Sequence, residues 1–326
     1  MVTGTQVPVA ETDAEQSLVP GTLTIGVLMG GGSRERTVSL KSGRAVVRAL
    51  RELGHKVRPL DVKPGDIGPK LLGGMDVAFL ALHGAWGEDG GIQAELERFG
   101  MAYTFSGPEA SRLAMDKVAA KREFLRRRVP TPPYLVARRG DDRAVSGAQV
   151  LLGPSVVVKP VAEGSSIGVA FCTDLASLKK AVAKVWKGYD AALIERRVVG
   201  REFTVAVLGD EALPIIEIRT PGGWYDYKNK YLSKTTQYIF DHGLDAADEA
   251  GIVGSSLAAH RALGCRDLSR VDVMFSEAGE PQVLEVNTIP GFTSHSLVPK
   301  AAARAGIPFG RLCERLLAMA IERARR

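Results

Sequence analysis

The chain has 326 residues, of which 45% are hydrophobic and 25% are charged, a composition typical of globular proteins. This length is too great for one compact core and predicts roughly two or three packed domains. Lys and Arg (43) exceed Asp and Glu (37), which gives a net charge of +6. Because the basic residues are spread along the chain, charge alone does not favour a nucleic-acid binder.

Cysteine use, hydropathy and the amino-terminal segment bear on the location of the protein. Cys172, Cys265 and Cys313 lie far apart and have neither metal-ligand spacing nor a disulfide pattern, which predicts a reducing cytoplasm. No apolar run approaches the roughly 18 residues that a membrane helix needs. Residues 1–20 contain acidic residues but no Lys or Arg, so we predict a disordered tail rather than a signal peptide.

The first predicted domain covers residues 21–105. A β-rich run at residues 23–29 ends in glycines and is followed by apolar residues at helical spacing up to Gly54. Residues 57–60 and 77–82 have the composition of further buried strands. The order strand, glycine turn, helix, strand predicts a parallel α/β domain.

The second predicted domain covers residues 106–194 and contains a glycine- and serine-rich loop at residues 163–168. Around this loop we predict helices at residues 116–128 and 175–186, and strands at residues 156–159, 169–171 and 191–195.

The third predicted domain covers residues 195–326. Its predicted strands are residues 202–208, 213–218, 271–275 and 282–286. Residues 220–243 form a long polar loop with many tyrosines, a length that is uncommon unless the loop is a lid or a binding loop. The chain closes with a helix on which one apolar face is predicted to pack into the core: Phe309, Leu312, Leu316, Ala320 and Ile321.

Four polar residues lie on the last two predicted strands. Arg270 and Asp272 are two residues apart on the first strand and therefore share a face. Glu285 and Asn287 share a face of the second strand in the same way. Carboxylates among apolar neighbours are expensive to bury unless something pairs them. Their oxygens suit Mg²⁺ bridging nucleotide phosphates, but salt bridges to Arg270 or to a lysine explain the spacing equally well.

The sequence that follows separates these alternatives. Residues 287–296 (NTIPGFTSHS), together with Glu285, closely resemble the signature of the D-alanine–D-alanine ligases, within the ATP-grasp superfamily. The resemblance spans about residues 23–320 and continues, in order, in shorter motifs. These are ALHG at 81–84, GEDG at 87–90, MDK at 115–117, VKP at 158–160, EGSS at 163–166, YDY at 225–227 and KYL at 230–232. The resemblance implies a three-domain α/β architecture in which two α+β domains hold ATP between them.

For the nucleotide, the resemblance implies that Lys117 and Lys159 neutralise the phosphates of ATP and that Lys230 reaches the γ-phosphate. The loop at residues 163–168 would close over these phosphates, because small residues let backbone N–H groups approach the oxygens. Taken singly, a lysine is usually a solvated charge and such a loop an ordinary turn. The residues implied for the adenosine pocket are Glu195, Arg196, Val198 and Glu202, with an arginine at 196 where the family usually has lysine.

For the first D-alanine, the resemblance implies that Glu35 receives the ammonium group and that Ser165 and Tyr231 are its hydrogen-bonding partners. Without the resemblance, Glu35 would be explained by charge complementarity at a helix amino terminus. His83 is implied beside the carboxylate of this substrate. A lone histidine after an apolar strand would otherwise be a structural residue.

For the second D-alanine, the resemblance implies a pocket at Ser296 and Leu297. The first substrate would be phosphorylated by ATP to an acyl phosphate, and the amine of the second would then attack the activated carbonyl. Arg270 and the backbone N–H of Gly291 would stabilise the oxyanion. Tyr231 predicts a dipeptide product, because the D-lactate ligases carry phenylalanine at this position.

The implied cofactors are ATP and two Mg²⁺ ions, with Mn²⁺ as an alternative, and the implied metal ligands are Asp272, Glu285 and Asn287. We expect a cytoplasmic homodimer that serves peptidoglycan synthesis through small-molecule substrates, with neither nucleic acid nor membrane as a partner.

Three other functions are compatible with parts of the sequence. The first is a D-lactate ligase or another ATP-grasp carboxylate–amine ligase, which shares the ATP residues and differs at the amino-acid sites. The second is a non-catalytic nucleotide-binding module, which need not retain Lys159, Arg270 and Asp272 together. The third is a nucleic-acid binder, which the basic balance suggests but no recognition motif supports.

Overall fold

The computed structural model describes residues 18–19, 21–220 and 235–326. Most of the predicted tail, together with Lys230 and Tyr231, therefore lies outside the described residues. So does the larger part of the predicted loop at residues 220–243. The division into three domains at these boundaries stays a prediction.

The first region contains a parallel sheet. Its strands are β1 (Thr24–Gly30), β2 (Lys56–Val62) and β3 (Val77–Leu80), in the order β2-β1-β3. Its helices are α1 (Arg36–Glu52), α2 (Pro69–Leu72) and α3 (Gly91–Arg98). Gly54 follows α1 with a φ angle of +87°, which a residue with a side chain rarely adopts. The predicted parallel α/β region is confirmed.

The second region holds an antiparallel sheet in the order β4-β7-β5-β6. These strands are β4 (Tyr134–Arg138), β5 (Val156–Pro160), β6 (Ala170–Cys172) and β7 (Ala191–Arg196). The helices are α4 (Pro108–Met115), α5 (Lys117–Arg126), α6 (Asp142–Leu152) and α7 (Leu175–Trp186). Asp116 caps α5 by accepting hydrogen bonds from the backbone N–H groups of Val118 and Ala119. Helix α6 was not predicted from the sequence.

The third region is built on a larger antiparallel sheet in the order β11-β10-β8-β12-β13, with a short β9 beside β8. The strands are β8 (Gly200–Leu208), β9 (Glu211–Ala212), β10 (Ile216–Arg219), β11 (Gln237–Ile239), β12 (Leu268–Ser276) and β13 (Pro281–Asn287). The helices are α8 (Ala246–Ala262), α9 (Leu297–Arg304) and α10 (Phe309–Arg325).

Two predictions in this region are corrected. The strand predicted at residues 213–218 begins at Ile216. Residues 220–243 are not loop throughout, because β11 lies within them and pairs with β10, with Glu217 opposite Ile239. A strand of this length has too few residues for an alternating pattern to stand out, so only pairing with a neighbour defines it.

The main hydrophobic core joins the two ends of the chain. Residues of α10 pack with the first sheet, and Leu312, Leu316 and Ala320 are buried as the predicted apolar face requires. The segment after β13 contributes Phe292, whose ring lies 5.6 Å from that of Phe79. This packing holds residues 287–296, the signature segment, against the first sheet, because burying apolar side chains of both is favourable.

We expect Phe79→Ala to lower the free energy of unfolding by about 3–5 kcal/mol. Phe79 is fully buried and packs edge-on against Phe105 at 5.6 Å, so its removal leaves a cavity between β3 and the signature segment. Chemical denaturation followed by circular dichroism measures the change. Val150→Ala is the matched control, because Val150 is 86% exposed and its truncation should change stability little. Equal effects of the two substitutions would contradict this account of the core.

Candidate active site

The centre of the site is the antiparallel pair β12 and β13. Their register sets Asp272 opposite Glu285 and Arg270 opposite Asn287. Arg270 donates two hydrogen bonds to Asp272, from Nε at 2.9 Å and from Nη2 at 2.8 Å. Such a bidentate pair fixes the plane of the guanidinium as well as its charge. Thr204 on β8 adds a third donor to Asp272, at 2.7 Å from its hydroxyl.

Glu285 faces a lysine across the cleft. Lys117 Nζ lies 3.2 Å from Glu285 Oε2 and donates a hydrogen bond of 2.8 Å to the carbonyl of Glu163. Lys117 is the first residue of α5, so the cap of that helix also aims this side chain. The salt bridges that the spacing allowed are therefore present at both carboxylates, and the metal interpretation stays a prediction.

The donor set nevertheless fits a magnesium ion. Two carboxylates face each other on neighbouring strands, and Asn287 Nδ2 lies 3.3 Å from Asp272 Oδ2. Glu285 retains 24% side-chain exposure and can be reached from the cleft. Within the described part of the chain, no group of three or more His, Cys, Asp or Glu side chains is placed to hold a metal. An ion here would need Asn287 as its third protein ligand, with oxygen donors throughout.

A second charged cluster is buried in the central sheet. Glu195 on β7 lies between two lysines: its Oε2 is 2.5 Å from Lys159 Nζ, and its Oε1 is 2.7 Å from Lys121 Nζ. The second contact has the geometry of an ion pair rather than of an aligned hydrogen bond. Glu195 is only 2% exposed, so direct contact of its carboxylate with adenine stays a prediction.

Burial and pairing act in opposite directions on these groups. Burial raises the pKa of Glu195, but the charges of Lys159 and Lys121 lower it below its ordinary value. Burial lowers the pKa of Lys159, yet Glu195 and the more distant carboxylates of Glu285 and Glu202 raise it above its ordinary value. Lys159 therefore remains an ammonium at the edge of the cleft.

Glu35 and the glycine-serine loop meet on the other side of the cleft. The hydroxyl of Ser165 donates a hydrogen bond to Glu35 Oε1, as the resemblance implies. Ser165 has a left-handed φ of +52°, a conformation that costs energy for a residue with a side chain. Tyr189 donates a hydrogen bond to Glu163 at the start of the same loop. These contacts hold the loop over a cavity of about 560 Å³.

His83 connects the first sheet with the signature segment. Its Nδ1 lies 3.3 Å from Glu88 Oε1 and 3.2 Å from the carbonyl of Ile289, so we assign the proton to Nδ1. Its Nε2 lies 3.4 Å from Ser42 Oγ, which accepts a hydrogen bond from the backbone N–H of Phe292. Ser42 on α1 thereby positions the residue next to Gly291.

The pocket predicted for the second D-alanine lies at the start of α9. Ser296 Oγ accepts a hydrogen bond of 3.0 Å from the backbone N–H of Thr293 and lies 3.4 Å from the position of a Cβ at Gly291. Leu297 is the first residue of α9 and is buried. Ser296 therefore faces Gly291 across the turn at residues 293–296, and Leu297 follows in α9.

The adenosine residues are more dispersed. Arg196 points away from Glu195 and donates from Nε to the carbonyl of Leu152 at 2.9 Å. Arg196 and Val198 line a separate cavity of about 550 Å³. Glu202 lies on β8 opposite Met274 of β12.

Three residues of the site were missed by the sequence analysis: Ser42, Lys121 and Thr204. Lys121 follows Lys117 by four residues and therefore lies on the same side of α5, which is the one signal that the sequence offered. Ser42 and Thr204 lie in segments whose composition predicts ordinary core. Nothing in the sequence distinguishes their hydroxyl groups from those of other buried serines and threonines.

Known proteins resemble this chain in sequence over most of its length. The sequence pattern described as "D-ala D-ala ligase C-terminus" matches residues 126–318. A D-alanine–D-alanine ligase of Alcanivorax borkumensis is 47% identical over 301 residues, which cover 92% of this chain and 95% of that protein. One of Polaromonas naphthalenivorans is 45% identical, with 91% and 94% covered.

Solved structures agree with the sequence relatives. A D-alanine–D-alanine ligase from Bacillus anthracis in complex with ATP superposes with a TM-score of 0.82 at 30% identity. The match covers 93% of this chain and 99% of that one. A D-Ala:D-Ser ligase from Enterococcus faecalis gives a TM-score of 0.81 at 26% identity, with 92% and 100% covered.

We expect His83→Gln to destabilise the protein more below about pH 6.5 than above it. Burial by itself lowers the pKa of His83, but its hydrogen bond to Glu88 and the charges of Glu88 and Glu35 raise it above the ordinary 6.5. Because the folded-state pKa is the higher one, the stabilisation is fully present below the unfolded-state value. It is lost as pH rises through the folded-state value.

Denaturation of both proteins across this pH range measures the difference, and an NMR titration of the imidazole gives the pKa directly. Glu88→Gln is the control and should lower that pKa. A midpoint below 6.5 in the unaltered protein would contradict the assignment.

Proposed function

The chain belongs to the D-alanine–D-alanine ligase family, and we propose that it uses ATP to join two D-alanine molecules into D-alanyl-D-alanine. One observation carries the proposal: a predicted phosphate-binding lysine and two predicted metal ligands border a single narrow gap, beside the glycine-serine loop. Lys117 and Glu163 line this gap together with Glu285, Asn287 and Glu88, the partner of His83. The dipeptide would serve peptidoglycan precursor synthesis.

The first step we propose is transfer of the γ-phosphoryl group of ATP to the carboxylate of the first D-alanine. Lys117 and Lys159 bring positive charge to the phosphates, and Lys230 is proposed to add a third. Glu35 receives the substrate ammonium, oriented by its contact with Ser165. This arrangement holds the two reactants together, which accounts for much of the rate of such transfers.

Magnesium bound by Asp272, Glu285 and Asn287 would supply charge neutralisation of the transferring phosphoryl group. The donor chemistry described above supports this assignment. Residues 163–168 lie across the cleft and would exclude water from the acyl phosphate, whose hydrolysis would waste ATP.

In the second step, the deprotonated amine of the second D-alanine attacks the carbonyl carbon of the acyl phosphate, so that the amide C–N bond forms, the C–O bond to the phosphate breaks and inorganic phosphate leaves. We propose that Arg270 and the N–H of Gly291 stabilise the oxyanion that forms. Asp272 holds the guanidinium plane of Arg270 through two hydrogen bonds, and Ser42 holds the turn beside Gly291. Both donors are thus oriented before the charge develops.

We also propose a cytoplasmic homodimer, on the resemblance to the family alone. No helix among the described residues is long and apolar enough to cross a membrane.

Arg270→Ala should lower kcat by about 10²–10³-fold, because it removes one oxyanion donor. The variant should stay folded, since Asp272 keeps its hydrogen bonds from Thr204 and Asn287. Steady-state kinetics below the melting temperature measures the loss. Arg139→Ala is the matched control: Arg139 also pairs with a carboxylate, Asp190 at 3.2 Å, but is exposed. Near-normal turnover of Arg270→Ala would remove Arg270 from the mechanism.

The reaction itself is tested by ATP-dependent phosphate release with Mg²⁺ at neutral pH, with product masses determined. The substrates are D-alanine, L-alanine, and D-alanine with D-lactate or with D-serine. We expect turnover with D-alanine alone and the mass of D-alanyl-D-alanine. Tyr231 predicts no D-lactate product at neutral pH, so abundant depsipeptide would overturn the acceptor assignment. Binding of ATP without turnover of D-alanine would leave the family assignment unchanged but would refute D-alanine as the substrate.

A further inference from the structure

Lys121 is a buried lysine that does not reach the cleft. It is 1% exposed, and its Nζ donates hydrogen bonds to Thr131 Oγ1 at 2.6 Å and to the carbonyl of Pro132 at 3.1 Å. The ring of Tyr134 lies 5.3 Å from the same Nζ. Both hydrogen-bond partners act as acceptors, because Thr131 donates its own proton to the carbonyl of Val283. Burial lowers the pKa of Lys121 below its ordinary value, and the adjacent carboxylate of Glu195 opposes this shift and favours the ammonium form.

A buried charge of this kind needs a reason, because desolvation costs several kcal/mol per ion. The reason lies in Glu195, which contacts both Lys121 and Lys159. If Lys159 were the only partner of Glu195, the two would form a neutral pair. Lys159 would then offer little net charge to a phosphate. The second lysine leaves the cluster with one positive charge in excess.

The rest of the cleft makes this excess important. Lys117 is paired with Glu285, and Arg270 is paired with Asp272. Each of these cations is therefore balanced by a carboxylate of its own. Among these three sets of ion pairs, the one around Glu195 is the set in which cations outnumber carboxylates.

We propose that Lys121 is a positioning residue that offsets the charge of Glu195, so that Lys159 presents net positive charge to the phosphates of ATP. This inference rests on the proposed function, because it requires ATP phosphates to bind beside Lys159. Lys121 acts through Glu195 and touches neither substrate.

The position of Lys121 is set from two sheets at once. Its partner Thr131 bonds to Val283 on β13, the strand that also carries Glu285. Glu195 lies on β7 of the central sheet. Through Thr131 and Glu195, Lys121 therefore connects β13 of the larger sheet with β7 of the central sheet. The nucleotide is proposed to bind between these two sheets.

The experiment compares ATP with adenosine, because only ATP carries the phosphates. In Lys121→Met the affinity for ATP should fall roughly tenfold, the order expected for one unit charge about 12 Å away under an effective dielectric constant of about 20. The affinity for adenosine should stay within about twofold. Isothermal titration calorimetry gives the first value, and competition against ATP gives the second. Lys180→Met is the control, because it removes the same charge from an exposed position on α7.

Equal weakening of ATP and adenosine in Lys121→Met would overturn the proposal and indicate a merely structural role, as would no weakening of either. If the unaltered protein binds no ATP, the proposed function fails instead.

Should Lys121→Met not fold, the double variant Lys121→Met/Glu195→Gln answers the same question, because it removes one positive and one negative charge from the cluster together. We expect its ratio of ATP to adenosine affinity to stay within about twofold of the ratio in the unaltered protein. A roughly tenfold change of this ratio in either direction would refute the proposal.

Discussion

The pairing of β12 with β13 is the constraint on which the rest of the site depends. Its register sets a carboxylate opposite a carboxylate and an arginine opposite an amide. Two facing carboxylates repel each other unless cations lie close to both. Arg270 meets this need at Asp272, and Lys117 meets it at Glu285. Lys117 is the first residue of α5, so the start of this helix, capped by Asp116, places the cation beside Glu285.

Charge balance then explains why so many ionic groups are tolerated in one cleft. Each buried charge carries a desolvation cost that only close, well-aligned partners offset. Asp272 accepts hydrogen bonds from Arg270, Thr204 and Asn287, and Glu195 lies between two lysines. Such networks fix side-chain orientations before a ligand binds. This is the preorganisation that stabilises the charge developing during phosphoryl and acyl transfer. The cost is met by the apolar packing of the strands that carry them.

Much of the fold could be predicted from the sequence, because the apolar patterns that define these elements are local. The parallel first region follows from buried strands separated by an amphipathic helix, and α7 has the predicted bounds of residues 175–186 because its apolar period is regular. By contrast, α8 was not predicted, since its apolar residues do not gather on one face. The short β11 was missed because a strand of its length is defined only by its neighbour β10. Predictions at Lys230 and Tyr231 lie outside the described residues.

For the site, the sequence by itself determined the chemical inventory: which acids, lysines and glycines exist, and in which motifs. Motif order is a property of the chain, so the family and the reaction class follow without coordinates. Only the tertiary structure decided which charges share a partner. Lys121 and Glu195 are separated by most of the central region, yet their charged atoms lie 2.7 Å apart. Ser42 is still further from Phe292 along the chain, but bonds to its backbone. Contacts of this kind depend on how elements pack, and electrostatic pairing depends on distance in space, which no local pattern encodes.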